Sequence, residues 1–572
     1  MKSKLNNEIS CDKNIRIAEK KSGAGKKSGA GKNFGVENRF NFRDMAGIAA
    51  SQWNDRVKVV SDSKDRILRL KTEPEFLPEI CAWLFSGLEY SFACLIVEEK
   101  APDWIVRYIF YTSRGDTGQV HVEVKFPLSK KRIPSISLQV HAADWQEREI
   151  EDLFGLFFEG HPRLGNFVLH EKWPKGLHPM LASFDAKQSY PVKEDNHKWV
   201  PGRILKASGA FMMPIGPVYS DHAESAHFLL ETVGEDVVRT IPRFFYKYRG
   251  VEKIAQGKTV EEVILLAERF SGTSAFAHSL AFCMAVEEIT KTDIPARAKA
   301  LRVFFSELER IRHHTSAIAG ICSSTALAVA ASQASIIEEE LLRLCCDLTG
   351  HRYLFGLNAP GGIYRGVSDD KVFAVSETLW GFLDRFKELH ELLRFTSSFL
   401  DRLEEVGIVS KQKAVSYGLV GPVARASGVS VDLRTAQPYA GYNIDLKFNV
   451  AKEKEGDGYA RLRLLFSEIE QSINIIRQVS IALPPGQIRE KIKIREKIKI
   501  REGSGLGWVE APVGAAFHWV KLNDEGRVVR YHIMPPSFVN WHGFHLAAEN
   551  FAFQDFPIIM ATFGLSNAES DR

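Results

Sequence analysis

The side chains that could do chemistry in this 572-residue sequence fall into a few tight groups. Glu147, Arg148, Glu149, Glu151 and Asp152 crowd one short stretch. Paired carboxylates can serve as acid and base, but nothing near them supplies a nucleophile, a metal set or a phosphate loop. A role at an interface is the better reading. Glu224 and His227 stand three residues apart. A carboxylate and an imidazole in a cleft can pass a proton without a metal; the alternative is a solvated loop. Seven cysteines (11, 81, 94, 283, 322, 345 and 346) form no CxxC pair. They predict neither a disulfide framework nor a zinc site, and they point to a reducing, cytosolic setting. Residues 20–31 read KKSGAG twice. No register of this repeat yields the spacing of a phosphate-binding loop, so a disordered tail is predicted.

Composition frames these groups. With 45% hydrophobic and 26% charged residues, the chain can bury a sizeable core. The net charge of +4 is local: residues 1–32 hold nine cations and three anions, which leaves the rest near −2. No nucleic-acid partner is expected. No charge-free apolar run reaches 18 residues, so no membrane span is expected, and the basic N-terminus lacks the apolar core of a secretory signal.

The predicted fold class is α+β. A basic tail (1–45) precedes an α/β domain (46–190), a polar linker (191–205) and a mainly helical domain with a β-hairpin (206–572), which carries a repeat insertion at 487–503. Runs rich in Val, Ile, Tyr and Phe predict strands over 90–99, 104–112, 120–126 and 135–141, after a helix over 75–85. A hairpin is predicted over 211–234. The Thr259–Glu262 capping box opens a helix to about Ile289, and Pro295 opens another to about Leu348. Further helices are predicted over 371–405 and 459–482, and an apolar strand over 556–563. Residues 489–502 repeat REKIKI, read as a tolerated loop insertion.

Two stretches carry a family resemblance. Residues 145–156 (WQEREIEDLFGL), followed by Gly160-His161-Pro162, resemble the signature of the complex I "C" (30 kDa) component. Residues 210–572 resemble the complex I "D" (49 kDa) component and the large subunits of membrane-bound group 4 nickel–iron hydrogenases. Of these, the formate hydrogenlyase and energy-converting kinds are most similar. The matching segments include Gly216-Pro217, residues 248–253 (YRGVEK), residues 349–352 (TGHR), residues 360–362 (PGG), residues 425–428 (RASG) and residues 510–512 (EAP).

In the hydrogenases that this half resembles, two CxxC pairs hold nickel and iron. Here those positions are Ser271, Ser274, Ser566 and Glu569, and Val513 stands where an arginine would face the iron. Hydroxyls are poor ligands for such metals, so no nickel–iron centre is expected and no metal is assigned to the chain. With the sequence ending at Arg572, no extension to be removed on metal insertion is expected either. The quinone branch would place a tyrosine where Gly272 stands.

The resemblance therefore implies Glu224, His227, His278 and Arg269 as catalytic candidates. His222, Ser271, Ser274, Ser566 and Glu569 would line a small polar cavity for water, a proton path or a quinone head group. Arg352, Asp432, Arg434, Tyr439 and His314 would brace the face against a partner, although packing is the better reading for them. It further implies a small subunit holding a 4Fe–4S cluster, similar to the complex I "B" component. A membrane subunit, similar to the complex I "H" component, and antiporter-like subunits would complete the assembly. The chain would sit peripherally on the cytoplasmic face of the membrane, passing electrons to an acceptor while coupling to ion translocation. A non-catalytic scaffold and an intact hydrogenase are the competing readings.

Overall fold

The computed structural model describes residues 42–62, 67–112, 118–191, 199, 201–206, 208–218, 224–443, 446–492 and 503–572. Expectations for the tail up to residue 41, for linker residues 192–198 and 200, for His222 and for repeat residues 493–502 lie outside them. Residues 42–45 of the predicted tail instead belong to helix α1 (Phe42–Trp53).

Alternating apolar side chains build the first sheet from β1 (Val57–Asp62), β2 (Ile67–Thr72), β3 (Ser91–Lys100), β4 (Asp103–Tyr111) and β5 (Gln119–Pro127). The order is β1-β2-β5-β4-β3, with β2 and β5 parallel and the other pairs antiparallel. Trp104, Val106, Tyr108 and Phe110 of β4 are buried on the core side, as a two-residue period requires. Helix α2 (Asp144–Phe154) carries the acidic cluster and ends at Gly155, whose φ of +73° is left-handed and where a Cβ would meet the His178 ring at 2.6 Å. The strand predicted over 135–141 does not form. Glu147 of α2 takes Ile136 N–H at 2.9 Å and the Ser135 hydroxyl at 2.5 Å, and Val140 N–H turns back to Ile136 O. Buried demand from that one carboxylate outweighs the local strand pattern.

The second half opens with β6 (Ala210–Ile215), β7 (His227–Val233) and β8 (Asp236–Arg243), so the predicted hairpin gains a third antiparallel strand, and Phe551–Ala552 pairs with β8 as a fourth. The single helix predicted from Thr259 is two, α3 (Val260–Arg269) and α4 (Ala275–Thr290). The long run predicted from Pro295 is also two, α5 (Ala296–Ser324) and α6 (Ala328–Thr349), parted where Ala326 adopts φ +61°. Then follow α7 (Asp369–Arg394), α8 (Gly421–Ala426) and α9 (Gly458–Ile481). An unpredicted antiparallel sheet comes next: β9 (Gly503–Ala511), β10 (Gly514–Leu522) and β11 (Val528–Met534). Helix α10 (Pro536–Phe544) precedes α11 (Phe556–Phe563), which replaces the strand predicted there. Pro557 starts α11 and left-handed Gly564 ends it. The chain closes in α12 (Asn567–Asp571). The α+β class holds, with the larger sheet in the N-terminal part and long helices in the C-terminal part. Among the described residues, no helix is long and apolar enough to cross a membrane.

Glycine at 503, 505 and 507 gives β9 a flat face on which α4 lies directly. A Cβ at Gly507 would sit 1.9 Å from Ala281 O, and one at Gly505 would sit 2.2 Å from Ala285 O. Val263, Ala267, Phe282, Val286, Val520 and Ile533 join α3, α4, β10 and β11 in one apolar cluster. Gly507→Ala should therefore cost about 1–3 kcal/mol in denaturant unfolding through overpacking. Gly381→Ala, in open space on α7, should raise stability by about 0.5–1 kcal/mol.

Candidate functional site: a buried junction of two loops

The interruption between α3 and α4 is built, not accidental. The Thr259–Glu262 capping box starts α3, and the chain leaves the helix at Phe270. Helix α4 then begins with two free amides, Phe276 N–H and Ala277 N–H. Both donate to Glu309 of α5, at 2.8 and 2.9 Å. Arg312, one turn on, donates to Thr273 O. One face of α5 thus holds residues 271–275 in place. Ser271 and Ser274 are buried; the Ser271 hydroxyl meets that of Thr273 at 3.4 Å, while the Ser274 hydroxyl has no partner. Burial pushes Glu309 up to about 7, against the pull of Arg312 and the two amides.

The second loop caps α12. Ser566 is its N-cap, accepting Glu569 N–H. Glu224 completes the cap: its carboxylate accepts the Ser566 hydroxyl at 2.9 and 3.1 Å, Ala568 N–H at 3.0 Å, and Asn567 N–H. A carboxylate on the amides of a helix start is a favourable pairing. Asp571 accepts Phe245 N–H and Lys247 N–H at 2.9 and 2.8 Å. Arg572 reaches the first domain, bonding Glu149 of α2.

Two interactions bring the loops together. The Arg249 guanidinium donates to Phe270 O at 2.9 Å and to Ala568 O at 2.6 Å, stapling the residue before Ser271 to the residue before Glu569. His278 Nε2 lies 2.8 Å from Glu569 Oε1. Beyond it, His278 Nδ1 lies 3.0 Å from His518 Nε2, and His518 Nδ1 lies 2.7 Å from the Tyr531 hydroxyl. All four residues are fully buried. Ser537 N–H donates to the other Glu569 oxygen at 3.1 Å.

The structure therefore gathers Ser271, Ser274, His278, Ser566, Glu569 and Glu224 around one junction. It does not gather the rest. Glu224 and His227 go to different partners: the His227 ring packs on Trp199 and its Nδ1 lies 3.4 Å from the Tyr246 hydroxyl, with Nε2 unpaired. Arg269 projects outward, half exposed, to Glu268 and over Phe355. Arg352 is an exposed partner of Glu339. The other four predicted interface residues are interior. Arg434 pairs with Asp432 and Glu307, and His314 Nε2 lies 2.8 Å from Glu468. The Tyr439 hydroxyl accepts Glu510 N–H at 3.0 Å. With Arg310 and Arg425 they form a buried network binding α5, α8, α9 and β9. Burial opposes ionisation of Glu468, yet Arg425, His314 and Arg310 hold its carboxyl well below the usual range. Sequence reasoning missed Glu309, Arg312, His518, Tyr531 and Ser537. His518 carries a faint signal, an imidazole on the buried strand segment Phe517-His518-Trp519.

Two measurements test these assignments. Arg425→Met strands Glu468, Glu510 and Asp432 without their shared cation, and should lower unfolding free energy by about 3–5 kcal/mol. Folded Glu309 retains a proton that the unfolded chain releases between about pH 4.5 and 7, so its contribution to stability falls as pH rises through that window. Glu309→Gln should shrink the wild-type loss between pH 5 and 7 by about 1–3 kcal/mol, read from urea midpoints.

Residues 70–190 match the model of the respiratory-chain NADH dehydrogenase 30 kDa subunit, and residues 333–572 that of the 49 kDa subunit. Residues 249–316, which span the first loop, match nickel-dependent hydrogenase. Formate hydrogenlyase subunit 5 of Escherichia coli is 28% identical over 89% of this chain and 90% of its own. The fused C/D polypeptide of NADH-quinone oxidoreductase from Bdellovibrio bacteriovorus is 28% identical over 88% and 92%. A chain of the membrane-bound sulfane sulfur reductase, an archaeal respiratory membrane complex, superposes with a TM-score of 0.60 at 27% identity. That match covers 64% of this chain and 99% of that one. The polypeptide thus joins, in one chain, a 30 kDa-family and a 49 kDa-family domain of the complex I type, with formate hydrogenlyase and hydrogenase-4 proteins among its relatives.

Proposed function

We propose that the chain is a peripheral, electron-transferring subunit of a membrane-bound respiratory complex related to complex I and the hydrogenases. Electrons arrive from a 4Fe–4S cluster on a small partner subunit and pass to an acceptor held beside the junction of residues 271–278 and 566–569. Proton exchange at the junction biases a membrane subunit and its antiporter-like neighbours on the cytoplasmic face. The observation that carries this reading is the His278–Glu569 contact. It joins, with hydrogen bonds, two loops at which the resemblance to nickel–iron hydrogenases implies metal ligands.

A nickel–iron centre does not fit these residues. The four positions offer three hydroxyls and one carboxylate. Ser566 and Glu569 are already committed to Glu224, His278 and Ser537, so no low-spin metal pair finds soft ligands there. A quinone head group or a sulfur chain remains as the acceptor class. Support for docking comes from exposed apolar side chains on the helical half: Val329 and Ile336 on α6, and Phe373 and Trp380 on α7.

One observation favours the scaffold reading: the buried Phe270 ring packs 4.5 Å from the His278 ring, filling space beside the junction. The two readings separate in the isolated complex. If the junction reacts, Glu569→Ala should lower acceptor reduction at least tenfold while the subunits stay assembled. Turnover equal to wild type in that variant, with Glu224→Gln also silent, would leave the scaffold.

A further inference from the structure

We propose that Tyr531, His518, His278 and Glu569 form a hydrogen-bond chain of fixed polarity, which makes Glu569 the proton acceptor of the junction and the other three its positioning residues. The inference rests on the proposed reading of the junction as a reacting site, and it names the group there that takes the proton.

Polarity is set at the apolar end. Tyr531 stands within the cluster of Val263, Phe282, Val286, Val520 and Ile533, where its hydroxyl meets His518 Nδ1 at 2.7 Å. A phenol so placed keeps its proton: burial raises Tyr531 well above its usual range, with Glu252 and the Cys283 thiol adding to the effect. Its hydrogen has one buried acceptor to satisfy, so the hydroxyl donates and His518 Nδ1 accepts. Burial also drives His518 well below the usual imidazole value, with His278 and His532 pushing the same way and Glu252 opposing. His518 is therefore neutral.

The remaining links follow by elimination. A neutral imidazole that accepts at Nδ1 carries its hydrogen at Nε2. His518 Nε2–H therefore donates to His278 Nδ1, across 3.0 Å. His278, accepting there, carries its own hydrogen at Nε2 and donates to Glu569 Oε1, across 2.8 Å. Ser537 N–H occupies one lone pair of Oε2. The three links run one way, Tyr531 to His518 to His278 to Glu569. Reversing them would turn the Tyr531 hydrogen into apolar side chains, at the cost of an unmet buried donor.

A relay with a blocked end cannot conduct, and that gives the chain its use. A proton given to Glu569 by a hydronium ion, whose O–H bond breaks as the carboxylic acid forms, cannot be passed inward to Tyr531. It forms one new O–H bond at the carboxylate, breaks none within the chain, and leaves from the same oxygen to the acceptor once partner-cluster electrons have reduced it. His278 and His518 hold the carboxylate in place throughout and exchange nothing. The nearby ionic groups, Glu252, Arg530, His532 and Arg572, are tied to one another and to Glu149.

The test uses the full-length chain in its isolated complex with 15N-labelled histidine. His278 and His518 are assigned by their loss in His278→Asn and His518→Gln. Solid-state 15N spectra of the wild type at neutral pH should show both rings neutral with hydrogen on Nε2. Tyr531→Phe should convert a substantial share of His518 to the Nδ1–H form. Hydrogen on Nδ1 in either wild-type ring, or an imidazolium, overturns the proposal. In turnover, His518→Gln can accept from Tyr531 and donate to His278, and should keep at least half of wild-type activity; His518→Leu should lose about tenfold. Equal losses in both overturn the positioning role. Should Tyr531→Phe not assemble, the Gln–Leu comparison carries the same decision. The expected tautomers together with unchanged turnover in Glu569→Gln would leave the polarity standing while removing Glu569, and the reacting site, from the mechanism.

Discussion

Burial of polar and ionisable groups governs this molecule, and the 2.8 Å contact between His278 and Glu569 joins its two key loops. Neither group is exposed, so each must find its partner inside the protein or impose a large desolvation cost. Each finds the other across 291 residues of chain. Around that contact the same rule recurs. Glu309 satisfies the amides that open α4, Glu224 those that open α12, and Arg249 spans the two carbonyls between them. Without these hydrogen bonds, the two loops lose the contacts that hold them together.

The two halves of the fusion are joined by the same means. Arg572 reaches from the end of the chain to Glu149, within the acidic run on α2. Glu147 of that run is consumed inside the first domain, by Tyr108, Ser135 and Ile136. The cluster that looks catalytic as text therefore divides into a core brace and a tie between domains. Both uses need carboxylates in the low-dielectric interior, which is why the run can resemble a reaction site without being one.

Much of this was legible beforehand, and the failures share a cause. Period-two runs such as 104–112 and 120–126 became β4 and β5, because their burial pattern depends only on local alternation. The capping box at Thr259 also formed. Continuous helical patterns hid two breaks, at 270–274 and 325–327, since partners far along the chain hold the first open and a left-handed Ala326 makes the second. The apolar run 556–563 holds no periodicity to separate strand from helix; Pro557 and Gly564 decide for helix. The glycine-rich β9 looked unlike a strand because α4, not its own side chains, packs its face. Ser271, Ser274, Ser566 and Glu569 came to light through resemblance to a metal site. Their partners His518 and Tyr531 stayed hidden because a buried polar pair leaves no mark on hydropathy. For Asp432, Arg434, Tyr439 and His314 the sequence leaves a partner-facing role beside packing, and charge balance among three arginines decides for the interior.

We propose that hydrogen bonds hold a junction where the resemblance to nickel–iron hydrogenases implies metal ligands. The nickel content of the isolated complex, measured per copy of this chain, tests it most directly. The account predicts nickel far below one atom per chain in complex that still reduces its acceptor; nickel near one per chain, bound tightly enough to survive chelator, would contradict it.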